Sequence, residues 1–116
     1  MAEGMKFAWH QWLPFRRWRI LGQVDAADEV PERLPRNGAI LVGNAALPKW
    51  LVFDCACRSG HRIMLNLDAS RKPRWYLVDT KPLSVRPSID YTGPGRRCHY
   101  FVRNGRTAWS KDSYDE

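Results

Sequence analysis

Short stretches of alternating or continuous apolar residues, each closed by Gly, Pro or Asn, recur along this chain. Residues 62–67 alternate strictly, with Ile63, Leu65 and Leu67 on one face and Arg62, Met64 and Asn66 on the other. That period of two predicts a half-buried strand. Residues 18–24 predict a first strand. Two short apolar runs, 39–42 after an Asn37-Gly38 turn and 50–53 after Pro48, predict antiparallel neighbours joined through 43–49. Residues 75–78 predict a further strand between Pro73 and Pro82, reached through the polar stretch 68–74. The clearest local signal is at 98–109, where two strand-like runs flank Asn104-Gly105, a pair suited to the positive φ angles of a two-residue hairpin turn. Residues 25–35, with Pro31 and Pro35, predict a connection with room for one short helical turn.

The N-terminal segment spaces Trp9, Trp12, Phe15 and Trp18 three apart among Arg16, Arg17 and Arg19. This superficially matches a membrane-surface helix, but Pro14 would break such a helix after barely two turns. The segment 1–17 is therefore expected to be an irregular lead-in whose aromatics pack on the domain. Residues 18–110 are expected to form one β-rich domain, and the polar, acidic tail 111–116 to fray. The predicted fold class is mainly β: a small single-domain antiparallel sheet or barrel-like fold with a Cys/His knuckle, a C-terminal hairpin and at most one short helix.

Charge adds a class of partner. Nineteen Lys and Arg against twelve Asp and Glu give a net +7, which draws nucleic acid, anionic membrane or an acidic protein. The arginines run along the whole chain rather than gathering on one element, so nucleic acid is disfavoured as partner. Trp75, Tyr76, Tyr100 and Phe101 are potential base-stacking residues, but nothing alternates them with arginines on one face. No apolar run approaches the roughly 20 residues that span a bilayer. Three cysteines, two of them one residue apart, argue against a disulfide framework and for reduced thiols or a metal site. A cytoplasmic location is the expectation.

The candidate chemistry starts at Cys55-Ala56-Cys57-Arg58-Ser59-Gly60-His61, a C-x-C-x3-H knuckle between two predicted strands. The knuckle can supply two or three zinc ligands, Cys55 and Cys57 with or without His61. The remaining donors of a tetrahedral structural site are sought in Cys98 or His99 at a strand end, with His10 in the lead-in; Cys55, Cys57 and Cys98 are the candidate ligands. Cys98 and His99 are adjacent on a strand, so they point to opposite faces and do not both reach one metal unless a bulge intervenes. A hydrolytic reading takes Ser88, in the turn-like Arg86-Pro87-Ser88-Ile89-Asp90, as nucleophile and His99 or His61 as base. Cys57 or Cys98 as a thiol nucleophile is the other version. The residues alone leave these open, and Asp54, Asp79 and Asp90 are all candidates to orient a histidine.

The ordered motifs Pro48-Lys49-Trp50, then Phe53-Asp54-Cys55-Ala56-Cys57 through Gly60-His61 to Leu67, then Arg86-Pro87-Ser88-Ile89, then Cys98-His99-Tyr100-Phe101-Val102-Arg103-Asn104-Gly105 resemble the bacterial domain-of-unknown-function family 6527. The resemblance covers residues 35–110. It implies a place in antiphage-defence loci encoding relatives of ubiquitin-activating (E1) and ubiquitin-conjugating (E2) enzymes and a ubiquitin-like protein. Within them it implies a deubiquitinase-like serine peptidase that trims the ubiquitin-like precursor or removes it from conjugates. Carried over residue by residue, Ser88 becomes the nucleophile, His99 its base and His61 a second base or orienting group. The implied partners are the ubiquitin-like protein and its E1- and E2-like enzymes. The rival expectation is a zinc-stabilised, non-catalytic binding module that recruits the conjugation machinery.

Overall fold

The computed structural model describes residues 5–44 and 46–115. The fold is mainly β and builds two sheets. The first holds β1 (Arg19–Val24), β2 (Gly38–Gly43), β3 (Pro48–Asp54) and β4 (Arg62–Asn66) in that order. The second holds β5 (Tyr76–Thr80), β6 (Leu83–Gly93), β7 (Arg96–Arg103) and β8 (Arg106–Trp109) in order, with β9 (Tyr114–Asp115) also paired to β7. No α-helix occurs among the described residues, only 3₁₀ turns at Trp9–Trp12 and Ala27–Glu29.

The predicted pairing of the runs around 39–42 and 50–53 is present, antiparallel, with Ile40 opposite Val52 and Leu41 opposite Leu51. The hairpin is present too: Asn104 and Gly105 have φ of +54° and +75°, as a two-residue turn of that type demands. A Cβ at Gly105 would stand 2.8 Å from the Cβ atoms of both Arg17 and Pro82, so the turn needs glycine for space as well as for φ. One pairing departs from the antiparallel expectation, since β1 and β2 run parallel. The connection 25–37 is long enough for the crossover that parallel neighbours require, whereas a tight turn would have forced the opposite sense.

The main core lies between the sheets. Trp18, Leu51, Phe53, Ile63 and Leu65 meet Leu83, Val85, Ile89, Tyr100 and Val102 there, and dry apolar contact of this kind is the main favourable term in folding. Trp18 ties the sheets at one end. It stacks edge-on to Phe53 at 5.0 Å, its indole N–H donates to Thr107 Oγ1 at 2.7 Å, and its backbone bonds Gly105 and Leu83. The lead-in aromatics behave differently from expectation, with Trp9 and Phe15 77% and 79% exposed. Pro14 and the short 3₁₀ turn leave no continuous face to lay them on the sheet.

The longest strand, β6, was not legible as a strand because Pro87 interrupts it. Val85 faces Val102 and Ile89 faces Tyr100, so 86–88 stand opposite a single residue of β7. Such a bulge frees ladder positions, which is where a strand tolerates proline. The tail also departs from expectation: β9 pairs with β7, with Arg96 opposite Asp115 and Arg97 opposite Tyr114.

Replacing Trp18 by Ala is expected to cost about 3–5 kcal/mol through the cavity left behind. Trp18→Phe, losing mainly the bond to Thr107, should cost about 1–2 kcal/mol. Urea unfolding of the two variants measures both, and equal losses would contradict Trp18 as the packed tie between the sheets.

Candidate active site and metal centre

Both sites grow from β7. Cys98, Tyr100 and Val102 point inward and are buried, while His99, Phe101 and Arg103 point outward, as the pleat requires. The structure therefore sends Cys98 and His99 to opposite faces of one sheet.

On the outer face, the bulge in β6 sets Ser88 diagonal to His99. The Ser88 hydroxyl lies 2.8 Å from His99 Nε2, and Nδ1 of the same ring lies 2.8 Å from Asp112 Oδ1. The bulge is pinned from behind, where the Trp75 indole N–H donates to the Ser88 carbonyl at 3.1 Å. The backbone around His99 is held as firmly. Ser110 N–H donates to its carbonyl, and the Ser113 hydroxyl both donates to that carbonyl and accepts from His99 N–H. Between β8 and β9 the chain makes a short excursion over His99, and Asp112 is carried on it. Arg97 fixes the carboxylate from the other side at 3.0 Å while gripping Asp90 with two further bonds. The Asp112 carboxyl is held below its ordinary value, first by the hydrogen bond from Ser110 and then by that from His99.

None of the three aspartates considered from sequence orients His99. Asp54 accepts from Arg62 and from Leu34 N–H. Asp90 is occupied by Arg97, and Asp79 is exposed on β5. Asp112 lay in the tail expected to fray and was missed. A signal for it did exist. Trp109 faces Tyr100, so strand alternation continued past it puts 110 and 112 on the face that carries the His99 ring, although the tail re-pairs two residues out of the hairpin register, with Arg97 opposite Tyr114.

On the inner side, Cys55 and Cys57 follow β3, His61 precedes β4, and Cys98 comes from β7. One donor atom from each lies within 4.8 Å of all the others. The knuckle is shaped by bonds from Cys55 N–H to His61 O and from Arg58 N–H to Cys55 O, with φ positive at Arg58 and Gly60. Tyr100 anchors it to the second sheet, its hydroxyl donating to Cys55 Sγ at 3.4 Å and accepting from Ala56 N–H. His61, which the family carry-over put beside Ser88, sits instead with the thiols, its ring 3.6 Å from Cys57 Sγ and stacked on Tyr91 at 3.9 Å. It has no hydrogen bond to Ser88 or His99 among the described residues.

The thiols are not equivalent. Burial, then the Cys57 thiol, pushes Cys98 up to about 12, and burial raises Cys55 as well. Burial also pushes Cys57 upward, but hydrogen bonds from Ser59 and the neighbouring thiols outweigh it and leave Cys57 below its ordinary value. Burial and then the Arg96 charge lower His61, which favours the neutral imidazole that a metal needs. Three sulfurs and one such nitrogen, gathered around one point, are the donor set and number of a tetrahedral metal centre.

A family model described as bacterial ubiquitination-like system serine protease (BubE) matches residues 26–110. No curated protein and no solved structure matches the chain. The matched span includes Ser88, His99 and all four possible metal ligands, and it stops short of Asp112. A carboxyl with a lowered folded-state pKa adds stability that is fully present above its unfolded value and is lost as pH falls through the folded one. Asp112→Asn should therefore lower the urea midpoint near pH 7, and the gap to wild type should close as pH drops through the acid range. A gap that stays constant down to pH 3 would show that the carboxylate contributes nothing as a charge.

Proposed function

The chain belongs to the family of serine proteases of bacterial ubiquitination-like systems (BubE), and on that premise we propose that it cleaves a ubiquitin-like protein, in precursor processing or deconjugation, with Ser88 as nucleophile. The observation that carries this is the continuous path from the Ser88 hydroxyl through both nitrogens of His99 to Asp112. In this reading His99 Nδ1–H donates to Asp112, which leaves Nε2 as the acceptor. Ser88 Oγ attacks the scissile carbonyl carbon while its proton passes to Nε2, and the carboxylate steadies the imidazolium. Collapse of the tetrahedral intermediate breaks the C–N bond, and Nε2 returns the proton to the leaving amine. Water, deprotonated by His99, then releases the acyl group from Ser88.

The four-donor cluster fits a structural zinc ion in the same reading. A tetrahedral zinc with Zn–S near 2.3 Å would place its ligands about 3.5–4 Å apart, compatible with donors that all lie within 4.8 Å of one another. Cys55, Cys57, His61 and Cys98 would hold it, and when bound it would clamp the knuckle of the first sheet to β7 of the second. A closed set of four protein ligands leaves no position for substrate, so no catalytic step is assigned to it. The ubiquitin-like protein is the partner that this reading requires, with E1- and E2-like enzymes as further partners of the pathway. A non-catalytic binding module would have use for the metal but none for the Ser88–His99–Asp112 path.

Ser88→Ala and His99→Ala are each expected to lower kcat for cleavage of the ubiquitin-like precursor by a factor of about 10⁴ or more, and Asp112→Asn to approach that loss. Circular dichroism should show all three folded. Full cleavage by folded Ser88→Ala would exclude the mechanism. Metal analysis should find one zinc per chain in all three, and Cys98→Ser should lose both metal and thermal stability.

A further inference from the structure

Beside Ser88 lies an open pocket of about 440 Å³, lined by Tyr76, Val85, Arg86, Ser88, Phe101 and Arg103 among others. We infer that this pocket is the subsite for the acyl side of the substrate, and that it selects an apolar side chain next to an acidic one just before the scissile bond. The inference rests on the proposed role of Ser88 and extends it to specificity.

Position comes first. Along the outer face of β7 the order is His99, Phe101, Arg103, and His99 and Phe101 are neighbours with ring centres 5.9 Å apart. Ser88 stands between His99 and the pocket, bonded to Nε2 on one side and lining the cavity on the other. The proton taken from Ser88 must be handed to the leaving amine by that same nitrogen, so the leaving group has to lie on the His99 side. The acyl portion is left with the opposite side, which is where the pocket lies.

Chemistry follows from the walls. Val85 is buried beneath, and the rings of Phe101 and Tyr76 are available above it, Tyr76 being nearly half exposed. These surfaces match an apolar side chain. Each ring carries a guanidinium on its face, Arg103 over Phe101 at 4.1 Å and Arg74 over Tyr76 at 4.6 Å, and Arg86 lines the pocket as well. Neither Arg86 nor Arg103 has an ion pair among the described residues, in contrast to Arg62, Arg96 and Arg97. Stacking also presents the guanidinium N–H groups in a fixed plane, suited to two bonds with one carboxylate. An apolar floor with unneutralised arginines at its margin therefore favours an apolar–acidic pair.

The test uses the full chain and peptide aminocoumarins, which have an acyl side and no residue on the leaving side. Each pair of substrates shares an apolar residue and differs only in Glu against Gln beside it. Wild type should favour Glu by about tenfold in kcat/KM, the worth of one charge-assisted hydrogen bond. Arg86→Gln/Arg103→Gln should bring the ratio close to one, and Arg103→Glu should shift the preference towards Lys. A ratio near one in wild type, or a preference that survives the double substitution, overturns the subsite. Labelling of Ser88 by a fluorophosphonate on the same samples separates the two levels. A labelled wild type with no preference removes the subsite alone, whereas a wild type that is neither labelled nor active removes the serine mechanism with it.

Discussion

The alternation of side chains along β7 is the constraint on which the rest of the structure depends. Successive residues of an extended strand leave opposite faces of the sheet, so Cys98 enters the interior and His99 meets solvent at the same place in the fold. In the proposed reading, one strand thereby serves two chemistries that would interfere if mixed. A histidine drawn among thiols would be a competing metal ligand, and a thiol beside Ser88 would be a competing nucleophile. With the inner residues Tyr100 and Val102 packed in the core, β7 cannot rotate to exchange its faces, because a slip by one residue would expose its whole apolar set.

On the outer face, the Ser88–His99–Asp112 path depends on two local departures from regular pairing. The bulge at 86–88 moves Ser88 out of the ladder and towards His99, and the excursion between β8 and β9 brings Asp112 over the same ring. Both departures are anchored by bonds to backbone, Trp75 to Ser88 and Ser110 and Ser113 to His99. In the proposed mechanism, anchors of that kind hold the reacting atoms in place before substrate arrives, which is where much of an enzyme's advantage over solution originates. Arg97, shared between Asp90 and Asp112, keeps the carboxylate from swinging away into water.

On the inner face, burial works against leaving the cluster as it is. Cys55 and Cys98 have raised thiol pKa values because their charged forms are shielded from water, and a cation among them would reverse that balance by stabilising thiolate. The Tyr100 hydroxyl, donating to Cys55 Sγ and accepting from Ala56 N–H, already orients the knuckle towards β7. The knuckle and β7 belong to different sheets, so whatever joins them stabilises the sandwich as a whole and only indirectly the outer face.

The sequence by itself determined the elements whose cause is local. The alternation at 62–67, the Asn104-Gly105 turn and the apolar runs around Pro48 each carry their reason within a few residues, and each became the strand or hairpin they predict. The same alternation separated Cys98 from His99, and the ordered motifs pointed to Ser88 and His99. What only the tertiary structure decided involves partners distant along the chain or exceptions to local rules. The parallel pairing of β1 with β2 depends on where a long crossover returns, and β6 survives Pro87 because a bulge removes the need for its N–H. His61 joins the thiols because the knuckle closes on β7, and Asp112 reaches His99 because the chain loops out between β8 and β9 before the tail pairs with β7 again. Local sequence fixes backbone preference and side-chain face, while the choice of which faces meet is made by the packing of two sheets.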